Sequence, residues 1–120
     1  MDIQTLFLTL QALRLPIQTD EHELHRTVQE FLTSRGITYE HECTIAPHCR
    51  IDFLIGTIGL EIKRGYPQKA SVMNQLSRYA ACTQISGLIL MSEHTLRLPA
   101  FLNGKPLYQL SLARLWGIAL

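Results

Sequence analysis

The sequence has little excess charge of either sign, few cysteines and no long apolar run. Its 120 residues carry 11 Lys and Arg against 10 Asp and Glu, a net charge of +1 that excludes a histone-like or polybasic protein. Three cysteines, Cys43, Cys49 and Cys82, cannot all pair with one another, and none forms a CxxC motif. We therefore expect reduced thiols and a cytoplasmic location.

The N-terminus also lacks the features of a targeting or membrane segment. Asp2 lies where a signal peptide carries positive charge, and no A-x-A cleavage site follows. The longest uncharged run there, residues 3–13, has 11 residues, whereas a membrane span needs about 20. We expect no signal peptide and no membrane association.

The composition is that of a globular protein, with 47% hydrophobic and 18% charged residues. Chains of about 100–200 residues usually form one domain, so we predict a single domain over residues 1–120. Its charge is uneven: residues 1–60 hold eight acids and four Lys and Arg, and residues 61–120 hold two acids and seven Lys and Arg. This asymmetry indicates a face that contacts an anion, or simply uneven placement of surface charge.

Apolar residues at helical spacing predict three helices. Pro16 ends the first, Thr19-Asp20 offers an N-cap for the second, and Gly36 follows the end of the second. The apolar side of the first helix is either core or a subunit interface. We expect the helices at residues 2–14, 20–35 and 69–84, with a short helix or tail at 113–119. The expected buried side of the third helix comprises Val72, Leu76, Tyr79, Ala80 and Thr83.

Short apolar runs bounded by Gly and Pro predict strands. Gly56-Thr57 suits a two-residue type II′ turn, so the strands on either side should form a hairpin. The run Gly87–Met91 is typical of a strand buried in the middle of a sheet. These elements predict an α/β fold with a central mixed β-sheet flanked by helices. The strands are expected at residues 38–45, 50–55, 58–63, 87–91 and 107–112.

The predicted hairpin brings charged residues together. A two-residue turn places Asp52 directly across from Glu61, and Lys63 lies on the same face because strand side chains alternate. A four-residue loop would preserve this grouping, and a loop with an odd number of residues would break it. Opposed carboxylates are destabilising unless a cation lies between them, and Mg²⁺ prefers such oxygen ligands. The competing interpretation is a solvated face with scattered charges. The expected apolar face is Ile51, Phe53, Ile55, Ile58, Leu60 and Ile62.

Two helical residues could complete such a site. Glu21 leads the apolar stripe of the second helix and can reach the end of the sheet, whereas Glu23 points away. Glu21 could equally be an acid that only favours the helix N-terminus. Gln75 lies at the edge of the packed face of the third helix, where its amide could order a water or a phosphate, or could simply be solvated.

The order of these residues resembles the PD-(D/E)XK nuclease superfamily, in particular small phage or prophage proteins and the Holliday-junction-resolvase-like branch. The matching residues are Glu21 on a helix, Asp52 in a strand, Glu61-Ile62-Lys63 in the next strand, and Gln75-Leu-Ser-Arg-Tyr79 on a following helix. Ile51 stands where the family name has proline. The resemblance implies a restriction-endonuclease-like α-β-β-β-α-β core over residues 20–91, after an N-terminal helix within 1–18 and before a C-terminal extension over 92–120.

The resemblance implies a metal-dependent DNA endonuclease, with branched or junction DNA as candidate substrates. Asp52, Glu61, the backbone carbonyl of Ile62 and Glu21 would bind Mg²⁺ or Mn²⁺. Lys63 would orient the attacking water and neutralise charge on the transferring phosphoryl group. Asp52, Glu61, Lys63, Glu21 and Gln75 would form the catalytic set. A homodimer or higher homo-oligomer is expected, and the DNA contacts are expected from Arg64, Lys69 and Arg78.

Three other interpretations compete with a nuclease. His41, Cys43, His48 and Cys49 lie within nine residues and could bind zinc, although structural zinc sites usually space two ligand pairs farther apart. A catalytic thiol is the second, but no recognisable motif surrounds any cysteine. The third is a catalytically inactive module that binds DNA or a protein partner.

Overall fold

The computed structural model describes residues 1–16 and 20–116. The helices are α1 (Ile3–Leu10), α2 (Glu21–Ser34), α3 (Lys69–Ala80) and α4 (Leu112–Leu115). The strands are β1 (Glu40–Ala46), β2 (Cys49–Ile55), β3 (Ile58–Lys63), β4 (Gly87–Ser92), β5 (Phe101–Leu102) and β6 (Lys105–Ser111).

The six strands form one mixed sheet in the order β1-β2-β3-β4-β6-β5. The pairs β1–β2 and β2–β3 are antiparallel, the pairs β3–β4 and β4–β6 are parallel, and β5 is antiparallel to β6. The predicted α/β class with a central mixed sheet is therefore confirmed. Strand β4 lies in the middle and is buried along its whole length, as its apolar sequence predicted.

Helices cover both faces of the sheet. Leu6 and Leu10 of α1 pack with Val28 of α2 against Phe53 and Leu60 on one face. Leu76 and Tyr79 of α3 pack against Leu54, Leu88 and Leu90 on the other. Because both faces are covered, β3 is buried along most of its length, including Glu61. The interpretation of a solvated charged face is therefore wrong for this strand.

The apolar side of α1 is core rather than free surface. Leu6 and Leu10 are fully buried, and Ile3 and Phe7 pack against the same cluster. The side chains that made α1 a candidate subunit interface are thus used within the chain itself. Within residues 1–16 and 20–116, no helix is long and apolar enough to cross a membrane.

The first helix is shorter than predicted, and residues 11–13 form tighter turns in which each N–H donates to the carbonyl three residues earlier. Helix α1 ends at Leu10, and the backbone N–H of Leu15 donates to the carbonyl of Leu115, 2.6 Å away. Leu15 and Trp116 also form an isolated parallel bridge. These contacts join the segment that follows α1 to the end of α4. The predicted terminal helix begins at Leu112, and its residues 117–119 lie outside the described residues.

Helix α3 also ends early, at Ala80 instead of residue 84. Thr83, which was predicted to be buried, is exposed, so that prediction is wrong. Ile85 takes the buried position instead, because the chain turns there to enter β4.

The hairpins follow local turn signals. Gly56 has a φ of 62° and forms a two-residue turn with Thr57, which pairs Ile55 with Ile58 as predicted. Positive φ at the first central residue alone is the type II′ pattern, which glycine adopts without steric cost. A further hairpin, β5–β6, turns through Asn103 and Gly104, both with positive φ.

Candidate active site

The two predicted carboxylates meet where the β2–β3 ladder ends. The last paired residues are Phe53 and Leu60. Beyond them the Asp52 N–H donates to Glu61 Oε1 at 3.1 Å, and the Ile62 N–H donates to Asp52 Oδ2 at 2.8 Å. Each carboxylate therefore accepts a backbone hydrogen bond from the opposite strand, which holds both side chains in fixed positions.

Glu61 lies at the centre of this arrangement and is 3% exposed. Its Oε2 is 3.1 Å from Lys63 Nζ. From α3, the Tyr79 hydroxyl lies 3.4 Å from Glu61 Oε1 and donates to the Arg50 carbonyl at 2.7 Å. The structure thus brings Asp52, Glu61 and Lys63 together, and it adds Tyr79 as a contact to Glu61.

Burial changes the proton affinity of the site. Burial and the nearby Asp52 charge together raise the pKa of Glu61 to about 7, against the opposing effects of Lys63 and the Asp52 N–H. Burial also raises the pKa of Asp52, against the opposing effects of the Ile62 N–H, His25 and Lys63. Burial and the Glu61 charge raise the pKa of Tyr79, so its phenol stays protonated. A nearby cation would stabilise the ionised forms of two carboxylates whose pKa values are raised in this way.

Alternation of side chains along β2 is interrupted at Asp52. Phe53 packs on the α1 and α2 side, but Ile51 packs with Leu54 on the α3 side. The prediction that Ile51 and Phe53 share a face is therefore wrong. Ladder pairing with β3 stops here, and Glu42 on the neighbouring strand has a φ of 52°. Such irregularities in a strand change the direction in which side chains point. Here the Asp52 side chain points toward His25 of α2.

Glu21 lies near the carboxylates but does not contact them. It is 69% exposed, and its Oε1 is 4.0 Å from His25 Nε2. That nitrogen is 3.9 Å from Asp52 Oδ2, so the His25 ring lies between the two acids. Glu23 points away, as predicted, and bonds Arg26 on the outer side of α2. Asp20 supplies the predicted N-cap by accepting the Glu23 N–H at 2.7 Å.

Sequence reasoning missed His25, and it considered His41 only as a zinc ligand. His25 Nδ1 is 2.9 Å from His41 Nε2, and both rings pack on Phe53. In the described part of the chain, His25 Nε2 is buried without a hydrogen-bond partner. Burial lowers the pKa of His41. The four-residue spacing of Glu21 and His25 places both on one helix face, and this spacing could have indicated His25. No spacing in the sequence indicates that His41, on a strand, meets His25.

These side chains line an open cleft of about 490 Å³ that leads to Asp52. One wall is helical and the other comes from β1 and β2. Its lining includes Glu21, His25, His41, Arg50 and Asp52.

The remaining predicted site residues differ in placement. Gln75 is half-buried on α3, and among the described residues no hydrogen bond or ion pair involves its side chain. Arg64 Nε bonds Glu93 Oε1 at 2.9 Å, so its charge is partly neutralised. Lys69 and Arg78 are exposed near the two ends of α3.

Cys43 and Cys49 lack the features of an activated thiol. The Cys43 thiol donates to Glu40, which raises the pKa of Cys43 to about 11. Burial and the neighbouring Cys82 raise the pKa of Cys49. A nucleophilic cysteine needs the opposite shift. Over residues 1–16 and 20–116, no three His, Cys, Asp or Glu side chains are grouped to hold a metal. A cation between Asp52 and Glu61 would therefore depend on backbone oxygen and water for its other ligands.

Comparisons with family models, with curated proteins and with solved structures found no match for this chain. The site consists of two carboxylates that each accept a backbone N–H, the ammonium group of Lys63, and a cleft that opens to solvent. Such a set can hold a divalent cation and present it, with a positive side chain, to an anionic ligand.

The raised pKa of Glu61 predicts an unusual pH dependence of stability. In metal-free buffer, raising the pH from about 5 to 8 should destabilise the wild-type protein relative to Glu61→Gln. A carboxyl whose folded pKa of about 7 exceeds its ordinary 4.5 stabilises the fold at low pH. That stability is lost as the pH rises through about 7.

Melting temperatures of both proteins across this range in EDTA would measure the effect. The histidines are common to both proteins, so their titration should largely cancel in the difference. Parallel pH profiles would contradict the raised pKa of Glu61.

Proposed function

We propose that this protein is a metal-dependent DNA endonuclease of the PD-(D/E)XK type, which hydrolyses phosphodiester bonds. The observation that carries the proposal is the pairing of Asp52 and Glu61 at the end of the β2–β3 ladder, with Lys63 Nζ 3.1 Å from Glu61. The element order α2-β1-β2-β3-α3-β4 supports it, because it reproduces the α-β-β-β-α-β order that the resemblance implies.

The donor set fits Mg²⁺ or Mn²⁺. Glu61 is a buried carboxylate whose pKa is raised by burial and by a second carboxylate, and a cation would relieve both effects. Asp52, Glu61 and the Ile62 backbone carbonyl would hold the ion. When bound, it would polarise the phosphate and lower the pKa of a bound water. Glu21 would act through water or through His25, because it does not contact the pair.

Lys63 is the residue that meets the reacting phosphate in this proposal. Its side chain is 26% exposed, and its ammonium nitrogen lies 3.1 Å from Glu61 Oε2. A flexible lysine side chain can carry its charge to the phosphoryl group or orient the attacking water. A positive charge fixed where negative charge develops stabilises the transition state more than the bound substrate. Exposed Lys69 and Arg78 would contact the DNA backbone.

A cleavage panel tests the proposal. Single-stranded, duplex, flap and four-way-junction DNA would each be incubated with Mg²⁺, with Mn²⁺ and with EDTA. We expect cleavage of at least one substrate with either metal and none in EDTA. Full activity in EDTA would contradict the two-carboxylate site. Binding without cleavage in any metal would favour the second candidate, an inactive module of the same fold that binds DNA.

A further inference from the structure

An exposed aromatic pair lies beyond the end of the sheet that carries the site. Tyr66, in the loop after β3, is 86% exposed. Its ring stacks on His94, in the loop after β4, with ring centroids 3.7 Å apart and planes inclined by 13°. Parallel stacking uses one face of the tyrosine ring, and its high exposure means that the other face is open to solvent.

The loop that carries Tyr66 is fixed by a single carboxylate. Glu93 Oε1 accepts hydrogen bonds from Arg64 Nε at 2.9 Å and from the Gly65 N–H at 3.1 Å. Gly65 has a φ of 71°, which glycine adopts without strain. Pro67 restricts the backbone of the preceding Tyr66. The exposed ring is therefore positioned in advance, so little conformational entropy is lost when it binds a partner.

The pair lies at the same end of the sheet as the proposed active site. In the parallel β3–β4 register, Lys63 pairs with Ser92, and the Glu93 N–H donates to the Lys63 carbonyl at 3.0 Å. Tyr66 and His94 therefore follow directly from the strand ends beside Lys63. Three residues of extended chain span at most about 11 Å, so Tyr66 is close to Lys63.

We propose that the open face of Tyr66, backed by His94, is a stacking platform for an unpaired nucleobase. A planar ring held against a second ring offers a flat surface that any base can stack on, without reading its sequence. Bases inside a continuous duplex already stack on each other and do not offer a free face. The substrate class is therefore DNA with a single-stranded segment. This inference rests on the proposed function, because it assumes a nucleic-acid substrate.

Oligonucleotide binding separates stacking from phosphate attraction. The probes are a fluorescent oligothymidylate and its abasic analogue of equal length, which carry the same charge. Binding is measured in EDTA, so cleavage does not interfere. Wild-type protein should bind the oligothymidylate more tightly than the analogue. Tyr66→Ala should lose about 5- to 150-fold in affinity for the oligothymidylate, the equivalent of ~1–3 kcal/mol per base. Its affinity for the abasic strand should change little.

Two control variants sharpen the test. Tyr66→Phe keeps the ring and should bind like wild type. Phe101→Ala removes another exposed aromatic side chain, from edge strand β5, and should also bind like wild type. Equal binding of the two probes by wild-type protein, or unchanged binding by Tyr66→Ala, would overturn the platform. Failure of every metal-dependent cleavage assay would overturn the nuclease proposal alone, because base-dependent binding can persist without cleavage.

Discussion

Replacing Asp52 by Asn should abolish DNA cleavage, by about 10³-fold or more, while the protein stays folded. The amide oxygen of Asn can still accept the Ile62 N–H that Asp52 Oδ2 accepts at 2.8 Å. The substitution removes the negative charge that would hold the cation. It also removes repulsion with Glu61, so the melting temperature in metal-free buffer should be equal or higher. Single-turnover cleavage and thermal melting measure the two effects.

Asp52→Ala is a poorer test and serves as its control. Alanine would leave the Ile62 N–H without its acceptor, and Ile62 is buried. An unpaired buried N–H costs about 1–3 kcal/mol, so the alanine variant should melt below the asparagine variant. An asparagine variant that cleaves at the parental rate would remove Asp52 from the catalytic machinery. One that unfolds would assign Asp52 a structural role.

Replacing Lys63 by Met should separate binding from chemistry. Methionine keeps an unbranched side chain but removes the ammonium group that lies 3.1 Å from Glu61 Oε2. Loss of one positioned charge typically lowers the rate by about 10²–10³-fold. DNA affinity should change little, because the interaction acts mainly in the transition state. Single-turnover rates and DNA affinity would be measured together.

The pH of the Lys63 assay matters. Lys63 lowers the pKa of Glu61, so its loss should raise the fraction of protonated Glu61 at neutral pH. Assays at about pH 8.5 would favour the ionised form and isolate the effect on chemistry. Lys69→Met, at the exposed start of α3, is the matched control and should affect binding more than rate. Cleavage by Lys63→Met at the parental rate would contradict the role of Lys63.

Local signals predicted much of the hairpin that carries the site. Gly56 at a two-residue turn set the pairing of Ile55 with Ile58, and counting from that turn brings Asp52 to Glu61. Asp20 could be identified as the α2 N-cap because its side chain accepts a backbone N–H only three residues later in the sequence. Features of this kind depend on neighbours in sequence, so a single sequence contains the information.

The features that were missed depend on residues distant in sequence. Glu61 is buried because α3 covers a face that strand alternation alone left open to solvent. His25 and His41 meet only when α2 packs against β1, and their spacing carries no motif. The hydrogen bond between Leu15 and Leu115 joins residues a hundred positions apart. The Tyr66–His94 stack likewise needs β3 and β4 side by side.

Both activity predictions rest on one claim, that Asp52 and Glu61 together hold a divalent cation. Calorimetric titration with Mn²⁺ tests it most directly, with wild-type protein compared with Asp52→Asn and Glu61→Gln. We expect one Mn²⁺ per chain in the wild type, with an affinity that rises as the pH passes through about 7 and Glu61 loses its proton. Each variant should bind at least about 10-fold more weakly. Equal Mn²⁺ affinity in all three proteins would contradict the claim.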